Sequence, residues 1–159
     1  MAINKSIKLV ANVIAVFRDK NGSIVHKEER HNLVPDVGLE SIASRLSGTD
    51  SPTTIGTITY CALGTGTNAP AAGNTTLQTE VFRKQVSVRS YSSKTTRLRT
   101  FFNTDEGNAS LKECGLFGDD ATATTDSGTL YARTNIDKVK TDAETLTLDW
   151  TITVADATV

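Results

Sequence analysis

The strongest constraint on the fold of this 159-residue chain is a strict alternation of apolar and polar side chains near its C-terminus. The apolar positions are Leu146, Leu148, Trp150, Ile152 and Val154. Threonine or aspartate stands at every position between them. A period of two places the apolar side chains on one face of a β-strand and the polar ones on the other. The pattern therefore predicts a strand over residues 145–154 with one buried face and one threonine face.

The rest of the chain has the composition of a β protein. Threonine occupies 25 positions, and Gly, Asn and Ser separate short apolar runs, which is typical of strands joined by turns. Further strands are predicted over about 7–17, 23–32, 55–63, 81–91, 94–103, 110–117 and 129–136. Residues 75–80 are expected to form one helical turn.

One hairpin and one helix complete this pattern. Asn21-Gly22 between the first two apolar runs is the strongest short signal for a hairpin, so residues 6–32 or so are predicted to form an N-terminal hairpin. One amphipathic helix is predicted over about 36–47, followed by a stop at Gly48. Its apolar stripe would be Leu39, Ile42, Ala43 and Leu46, which repeat at helical spacing.

Many short strands and one helix predict a mainly β chain. We expect an antiparallel β-sandwich or barrel-like domain that occupies residues 1–159 as a single unit. Within it, the N-terminal hairpin is a candidate assembly arm. Its first strand is apolar on both faces, whereas its second strand is densely charged.

Charge and hydropathy limit the kinds of molecule to which the chain is expected to bind. The chain has 17 basic and 18 acidic residues, for a net charge of -1, which gives no electrostatic case for binding nucleic acid. No apolar run approaches the ~20 residues that a membrane-spanning helix needs. The N-terminal lysines precede an apolar run, but Asn12 interrupts that run and no cleavage site follows. The expectation is mature protein, made and kept in a cytoplasm and without membrane insertion.

The stretch GTGTNAP at residues 64–70 raises the possibility of a phosphate-binding loop. A P-loop requires Gly-Lys-Ser/Thr after its first glycines, and none follows Gly64 and Gly66. A dinucleotide fingerprint requires a third glycine where Ala69 stands. The loop is therefore interpreted as architectural, with a positive φ angle at one of its two glycines. Asn74 or Thr75 is expected to cap the turn that follows.

No catalytic or metal-binding pattern emerges from the other candidate residues. His26 and His31 are five apart on one predicted strand, which places them on opposite faces. Cys61 and Cys114 lack metal-ligand spacing and are interpreted as two buried thiols. Asp119, Asp120 and Asp126 do not match the spacing of a calcium loop, so residues 118–128 are interpreted as a solvated hairpin loop. We expect no enzymatic activity, no cofactor and no metal.

A band of basic residues crosses the predicted central strands. It consists of Arg83, Lys84, Arg89, Lys94, Arg97 and Arg99. Two interpretations remain open for it: a solvated face balanced by acidic loops elsewhere, or a charged contact with a protein neighbour or a glycan. No aromatic residues suited to base stacking are interleaved with it.

Four stretches in a fixed order carry a family resemblance. They are HNLVPDVGLESIASRLSG, ITYCALGTGTNAPAAGNTTLQTEVFRK, LKECGLFG and LYARTNIDKVKTDAETLTLDWTITV. This order resembles a family of small tailed-bacteriophage virion proteins, often labelled tail-fibre or minor structural proteins. The matching positions are Ala62, Leu63, Gly64, Thr65, Gly66, Thr67, Ala69, Pro70, Thr76, Leu77, Glu113, Gly115, Leu116, Phe117, Leu146, Leu148, Trp150, Thr151 and Ile152. The chain departs from the family pattern at Cys114, where a small residue is usual, and at Asn74, where aspartate is common.

The resemblance implies a non-enzymatic virion component that is carried in several copies. Its expected partners are other copies of itself and other virion proteins of the tail, neck, portal or capsid. Two roles follow as hypotheses. The first is a structural component of the tail, tail fibre, adaptor or neck. The second is a capsid decoration or a module that binds a host surface glycan or receptor, through the 118–128 loop and Tyr131.

Overall fold

The computed structural model describes residues 6–47 and 57–157 of the chain. The elements are β1 (Ser6–Asp19), β2 (Ile24–His31), α1 (Asp36–Ser47), β3 (Ile58–Gly64), β4 (Glu80–Gln85), β5 (Val88–Ser92), β6 (Thr95–Phe102), β7 (Ser110–Gly118), β8 (Thr129–Val139) and β9 (Glu144–Ala157). One sheet has the order β2-β1-β9-β6-β5 and the other the order β4-β3-β7-β8. All described pairings are antiparallel. The mainly β, sandwich-like prediction is confirmed. The barrel alternative is wrong, because the described strands form two separate sheets.

The core lies between the two sheets and is organised by β1 and β9, which pair along their full lengths from Ser6↔Ala157 to Asp19↔Glu144. The alternation predicted for the last strand is confirmed at Leu146, Leu148 and Trp150, which are buried while Thr147 and Asp149 between them are not. It does not extend to Val154, which is 43% exposed. The four-stranded sheet supplies the opposing side chains. They include Cys61, Leu63, Leu111, Cys114 and Leu116.

The N-terminal hairpin is an integral part of the five-stranded sheet. β1 lies between β2 and β9, and its side chains Val13, Ala15 and Phe17 belong to the core. Gly22 forms the turn with a φ angle of +82°, a conformation that glycine adopts without steric cost. Removal of residues 1–32 would therefore take away part of the core.

A single extended run supplies one strand to each sheet. Residues 81–91 were predicted as one strand, but the chain changes sheets between Gln85 and Val88. The Val86 N–H still donates to Thr59 in the four-stranded sheet at 2.9 Å, and the next N–H, of Ser87, donates to Arg99 in the five-stranded sheet at 2.8 Å. Strands that pass between the layers in this way form the corners of sandwiches.

The four-stranded sheet is covered on its outward face as well. A second apolar cluster forms there from Ala62, Leu77, Phe117 and Leu130, with Val37 of α1 packed against it. Loops cover the remainder of that face. The outward face of the five-stranded sheet has no such layer in the described part of the chain, because its outward positions on β6, at Arg97, Arg99 and Phe101, are exposed.

The helix has the predicted bounds but buries a different face. Leu39 and Leu46 of the predicted stripe are exposed, at 45% and 87%. The buried position is Gly38, where a Cβ atom would lie 3.0 Å from the Leu130 carbonyl oxygen. The absence of a side chain lets α1 approach the backbone of β8 closely. The predicted stop at Gly48 and the predicted start of β3 at residues 55–56 lie outside the described residues.

The helical turn predicted at residues 75–80 is absent, and Glu80 already begins β4. Leu77 is nevertheless 3% exposed and packs in the second cluster. The backbone N–H groups of Gln78 and Thr79 donate to a side chain of β7, so they do not form the bonds of a helical turn.

Trp150 provides the first test of this fold. The side chain is 1% exposed in the centre of the core, and removal of a buried aromatic residue typically costs ~3–5 kcal/mol. We expect Trp150→Ala to lower the melting temperature by roughly 10 °C, measured by circular dichroism. The matched control is Thr151→Ala, on the opposite face of the same strand, which should melt within about 2 °C of the wild type. Similar melting of both variants would contradict the register of β9.

Candidate functional site

The glycine-rich loop binds a carboxylate of the protein's own, the side chain of Glu113. Glu113 on β7 is fully buried, and its carboxylate accepts hydrogen bonds from the backbone N–H groups of Gly66, Gln78 and Thr79 at 3.1, 3.0 and 2.7 Å. Backbone N–H groups that converge on a carboxylate satisfy a charge that would otherwise be costly to bury. The loop therefore uses the chemistry of a phosphate cradle for an internal contact.

Arg133 on β8 completes this buried cluster. Its guanidinium lies 2.8 Å from the Glu113 carboxylate, with side-chain exposures of 2% and 0%. The same guanidinium donates to Asn74 Oδ1 and to the Asn68 carbonyl oxygen. Asn74 Oδ1 also accepts from the Ala71 N–H at 2.8 Å, upstream of Asn74. The prediction that Asn74 or Thr75 caps the turn that follows is wrong, because that helical turn is absent. We call Glu113, Arg133 and the loop 65–79 that they hold the loop clamp.

The glycines of the loop are required for space rather than for a special backbone angle. Neither Gly64 nor Gly66 has a positive φ angle, so that expectation is wrong. A Cβ atom at Gly64 would lie 2.6 Å from Glu113 Oε1, and one at Gly66 would overlap the same oxygen and Gln78 Cβ. The backbone can approach the carboxylate closely only where no side chain intervenes.

A second buried ion pair closes the loop at residues 118–128. Arg83 and Glu80 have side-chain exposures of 3% and 0%, and the Arg83 guanidinium donates to the carbonyl oxygens of Thr122 and Ser127 at 3.1 and 3.0 Å. The Asp126 N–H donates to Glu80 at 3.2 Å. The loop is the predicted solvated hairpin loop, since it joins β7 to β8 and residues 122–126 are exposed, and its backbone is in addition tied to β4. Among residues 6–47 and 57–157, no cluster of potential metal ligands forms.

Tyr131 and Asp119 take part in contacts within the fold. The Tyr131 hydroxyl donates to Asp119 Oδ1 at 2.8 Å and also contacts the Ser41 hydroxyl of α1. Burial raises the pKa of Tyr131 to about 12. These contacts join the helix, β8 and the 118–128 loop, and they occupy the hydroxyl that was predicted to contact a glycan.

The histidines and cysteines occupy separate environments. His26 shares the inward face of the hairpin with Phe17, at a ring distance of 5.5 Å, whereas His31 is exposed beside Asn12 on the outward face. Cys61 and Cys114 are free, buried thiols of the core, as predicted. The structure does not bring the histidines and cysteines together.

The predicted basic band is divided between the two sheets. Arg83 and Lys84 lie on β4 and pair with Glu80 and Glu106. The remaining members, Arg89, Lys94, Arg97 and Arg99, lie on the β5–β6 hairpin. Among them, Arg99 pairs with Asp149 at 2.6 Å and Lys94 with Asp156 at 3.5 Å. The sheet change between β4 and β5 therefore separates residues that are close in sequence.

No other described element covers the outward face of the five-stranded sheet, which we call the open face. Adjacent strands align its side chains in rows, such as Val16, Thr147 and Phe101. A shallow depression of about 410 Å³ lies there between Phe101, Val88 and the Arg99–Asp149 pair. Arg99 donates hydrogen bonds to the Asp149 carboxylate, and these bonds raise the pKa of the guanidinium above its already high ordinary value. A flat face of threonine, aliphatic and paired charged side chains suits contact with another protein surface.

Comparison with protein-family models, curated proteins and solved structures found no match to the chain. Within the described residues, no helix is long and apolar enough to span a bilayer.

The loop clamp predicts that two glycines of one loop differ sharply in their tolerance of a side chain. Gly66→Ala would place a Cβ atom against Glu113 Oε1, whereas a Cβ atom at Gly73 meets nothing within 4 Å. We expect Gly66→Ala to lower the free energy of unfolding by about 2 kcal/mol or more, measured by urea denaturation, and Gly73→Ala to leave it unchanged. Equal stability of the two variants would show that the loop does not hold the Glu113 carboxylate this closely.

Burial of the cysteines predicts chemically inert thiols. Burial raises the pKa of Cys61 to about 12 and that of Cys114 well above its ordinary value. Because the thiolate is the reactive species, we expect no rapid reaction of the native protein with Ellman's reagent at pH 8. In guanidinium chloride, both thiols should react. A fast-reacting thiol in the native protein would contradict this placement.

Proposed function

We propose that this chain is a non-enzymatic structural protein of a tailed-bacteriophage virion, carried in several copies in the tail, the tail fibre or adaptor, or the neck. The observation that carries the proposal is that the buried charged side chains of the fold form internal contacts. The buried ion pairs Glu113–Arg133 and Glu80–Arg83 hold loops in place, while the residues that the structure describes leave the open face uncovered. This is the arrangement expected of a subunit that packs against neighbours.

The sequence resemblance supports the same proposal. The motif positions that carry it include Gly64, Gly66 and Glu113, which meet in the loop clamp. Trp150, in the closing motif, lies at the centre of the core. Motifs that are distant in sequence therefore correspond to one structural unit.

The alternative role in receptor or glycan binding has less support. It relied on Tyr131 and the 118–128 loop, but the Tyr131 hydroxyl is engaged by Asp119 and Ser41. The loop backbone is held by Arg83. The hydroxyl is thus occupied within the fold, and the backbone of the loop serves an internal contact although residues 122–126 are exposed, so the structural role is the better supported proposal.

The proposal is tested on purified particles of the phage or prophage that encodes the chain. We expect quantitative mass spectrometry of gradient-purified particles to find the chain in several copies per portal ring. Complementation with Phe101→Asp, which places a charge on the open face, should reduce incorporation without lowering the melting temperature. The matched control is Val139→Asp on β8, also an exposed apolar position.

Particles that lack the chain would contradict the proposed function. Normal incorporation of the Phe101→Asp variant would instead show that the contacts with neighbouring virion proteins lie away from the open face.

A further inference from the structure

At one end of the five-stranded sheet, β1 and β9 extend beyond the strands that lie next to them. β1 and β9 remain paired as far as Ser6↔Ala157, but pairing of β2 with β1 begins only at Asn12 and pairing of β6 with β9 ends at Thr153. Residues 6–9 and their partners 154–157 therefore form a two-stranded extension, which we call the ribbon. At its base the Val154 N–H still donates to the Lys94 carbonyl oxygen at 2.9 Å. A two-stranded ribbon on its own is marginally stable in water.

The ribbon continues the apolar inward face of the sheet past the end of the core. The inward positions Ile7, Leu9 and Val154 follow the alternation of the buried Ala11 and the core-packed Ile152. Ile7 is 75% exposed and Val154 43% exposed. Side chains that would be in the core elsewhere in the sheet are thus open at this end.

A groove of about 440 Å³ adjoins the ribbon between the two sheets. Leu98 and Ile152 line it on the five-stranded sheet, and Ile42 and Ile58 line it on the opposite side. Tyr91, which is 82% exposed, and Arg89 stand on its rim. We call the groove and the inward face of the ribbon together the apolar shelf.

We propose that a second copy of this chain docks on the apolar shelf about a twofold axis near Val154, so that the ribbon of each copy enters the groove of the other. This inference rests on the proposed function, which places many copies of the chain in one particle. It adds the surface through which two copies contact each other. The apolar side chains of the ribbon would fill the partner's groove.

Charge complementarity favours a second copy as the occupant. Asp156 lies on the inward face of the ribbon, opposite Ile7. Its ion pair with Lys94, at 3.5 Å, is exposed to solvent, and such pairs contribute little, so the carboxylate can also meet a cation of a second copy. Arg89 lies on the inward face at the other end, in the row of Trp150 and Leu98. Six residues along β9, about 20 Å, separate these two rows. A twofold axis midway between them brings Asp156 of each copy to Arg89 of the other, as an isologous interface requires.

The chemistry of the shelf fits a protein surface better than a glycan. Its lining is dominated by the aliphatic side chains Ile42, Ile58, Leu98 and Ile152. A sugar would leave such side chains in contact with hydroxyl groups, whereas Ile7 and Val154 of a second copy match them. Exposed apolar patches of this kind, with charged residues at the rim, mark interfaces.

The test is sedimentation equilibrium of the full chain over a range of concentrations. We expect the wild type to approach twice its 17.0 kDa. Arg89→Glu and Asp156→Arg should each weaken the dimer about tenfold, because like charges then face each other. The double variant Arg89→Glu/Asp156→Arg should restore it. Ile7→Asp should abolish it, and circular dichroism should confirm that each variant is folded.

The matched control is Arg97→Glu, on the same hairpin but on the open face, which should dimerise like the wild type. A wild type that stays monomeric would overturn the inference. Dissociation by Arg97→Glu with no effect of Arg89→Glu would also overturn it. The inference would also be overturned if the monomer bound a glycan and the Tyr91→Ala variant lost that binding.

This experiment separates the inference from the proposed function. A chain that is monomeric in solution but present in purified particles overturns the twofold contact and leaves the virion role standing. A charge-swap-dependent dimer that is absent from particles supports the contact and contradicts the virion role.

Discussion

The outward layer of the four-stranded sheet depends on one buried carboxylate. Glu113 is buried in full, and an unpaired charge in that position would carry a desolvation cost of several kcal/mol. Three backbone N–H groups and the Arg133 guanidinium compensate that cost together. Because the donors come from both ends of one loop, the charge fixes the path of residues 65–79 and places Leu77 in the second cluster. A loop thus performs the covering role that a helix has in many layered folds.

The Arg83–Glu80 pair extends the same principle to the adjacent loop. Here the guanidinium is the buried charge, and carbonyl oxygens of residues 122 and 127 are its additional acceptors. Its planar group also lies 4.6 Å from the centre of the Phe117 ring, a favourable cation–π geometry. Two charges of opposite sign therefore attach two polar loops to one sheet, and this seals the sheet on its outward side.

The sequence predicted what depends on local periodicity. The alternation around Trp150 identified β9 and its buried face, and Asn21-Gly22 identified the hairpin turn. The sheet change at Val86 and Ser87 was missed, because a single bend at Ser87 interrupts an otherwise extended apolar run and neither Gly nor Pro marks it. The buried face of α1 was also missed, since Gly38 packs through the absence of a side chain and adds nothing to an apolar stripe.

The loop clamp could not be predicted from local sequence patterns, for a different reason. Nothing local distinguishes Glu113, in the run LKECGLFG, from a carboxylate on a solvated strand. Its burial arises from contacts with residues 34, 35 and 47 positions away in the chain. The resemblance did single out Glu113 and Gly66 as matching positions, but only the fold shows that the two residues meet. A glycine required for close approach has no sequence signature that separates it from a glycine in a turn.

The described strand edges differ in whether other residues of the same chain cover them. The β8 edge is covered, since Leu33 and Arg133 exchange two backbone hydrogen bonds of 3.0 Å and Glu28 accepts from the Asp137 N–H at 3.1 Å. These contacts close the sandwich between β2 and β8. The opposite end differs, because β1 and β9 run past every neighbouring strand and carry apolar side chains into solvent. Open edges and apolar faces invite pairing with another chain. Among the described strands, the exposed edge strand β5 and the apolar side chains of the ribbon are therefore the features that the chain does not cover itself.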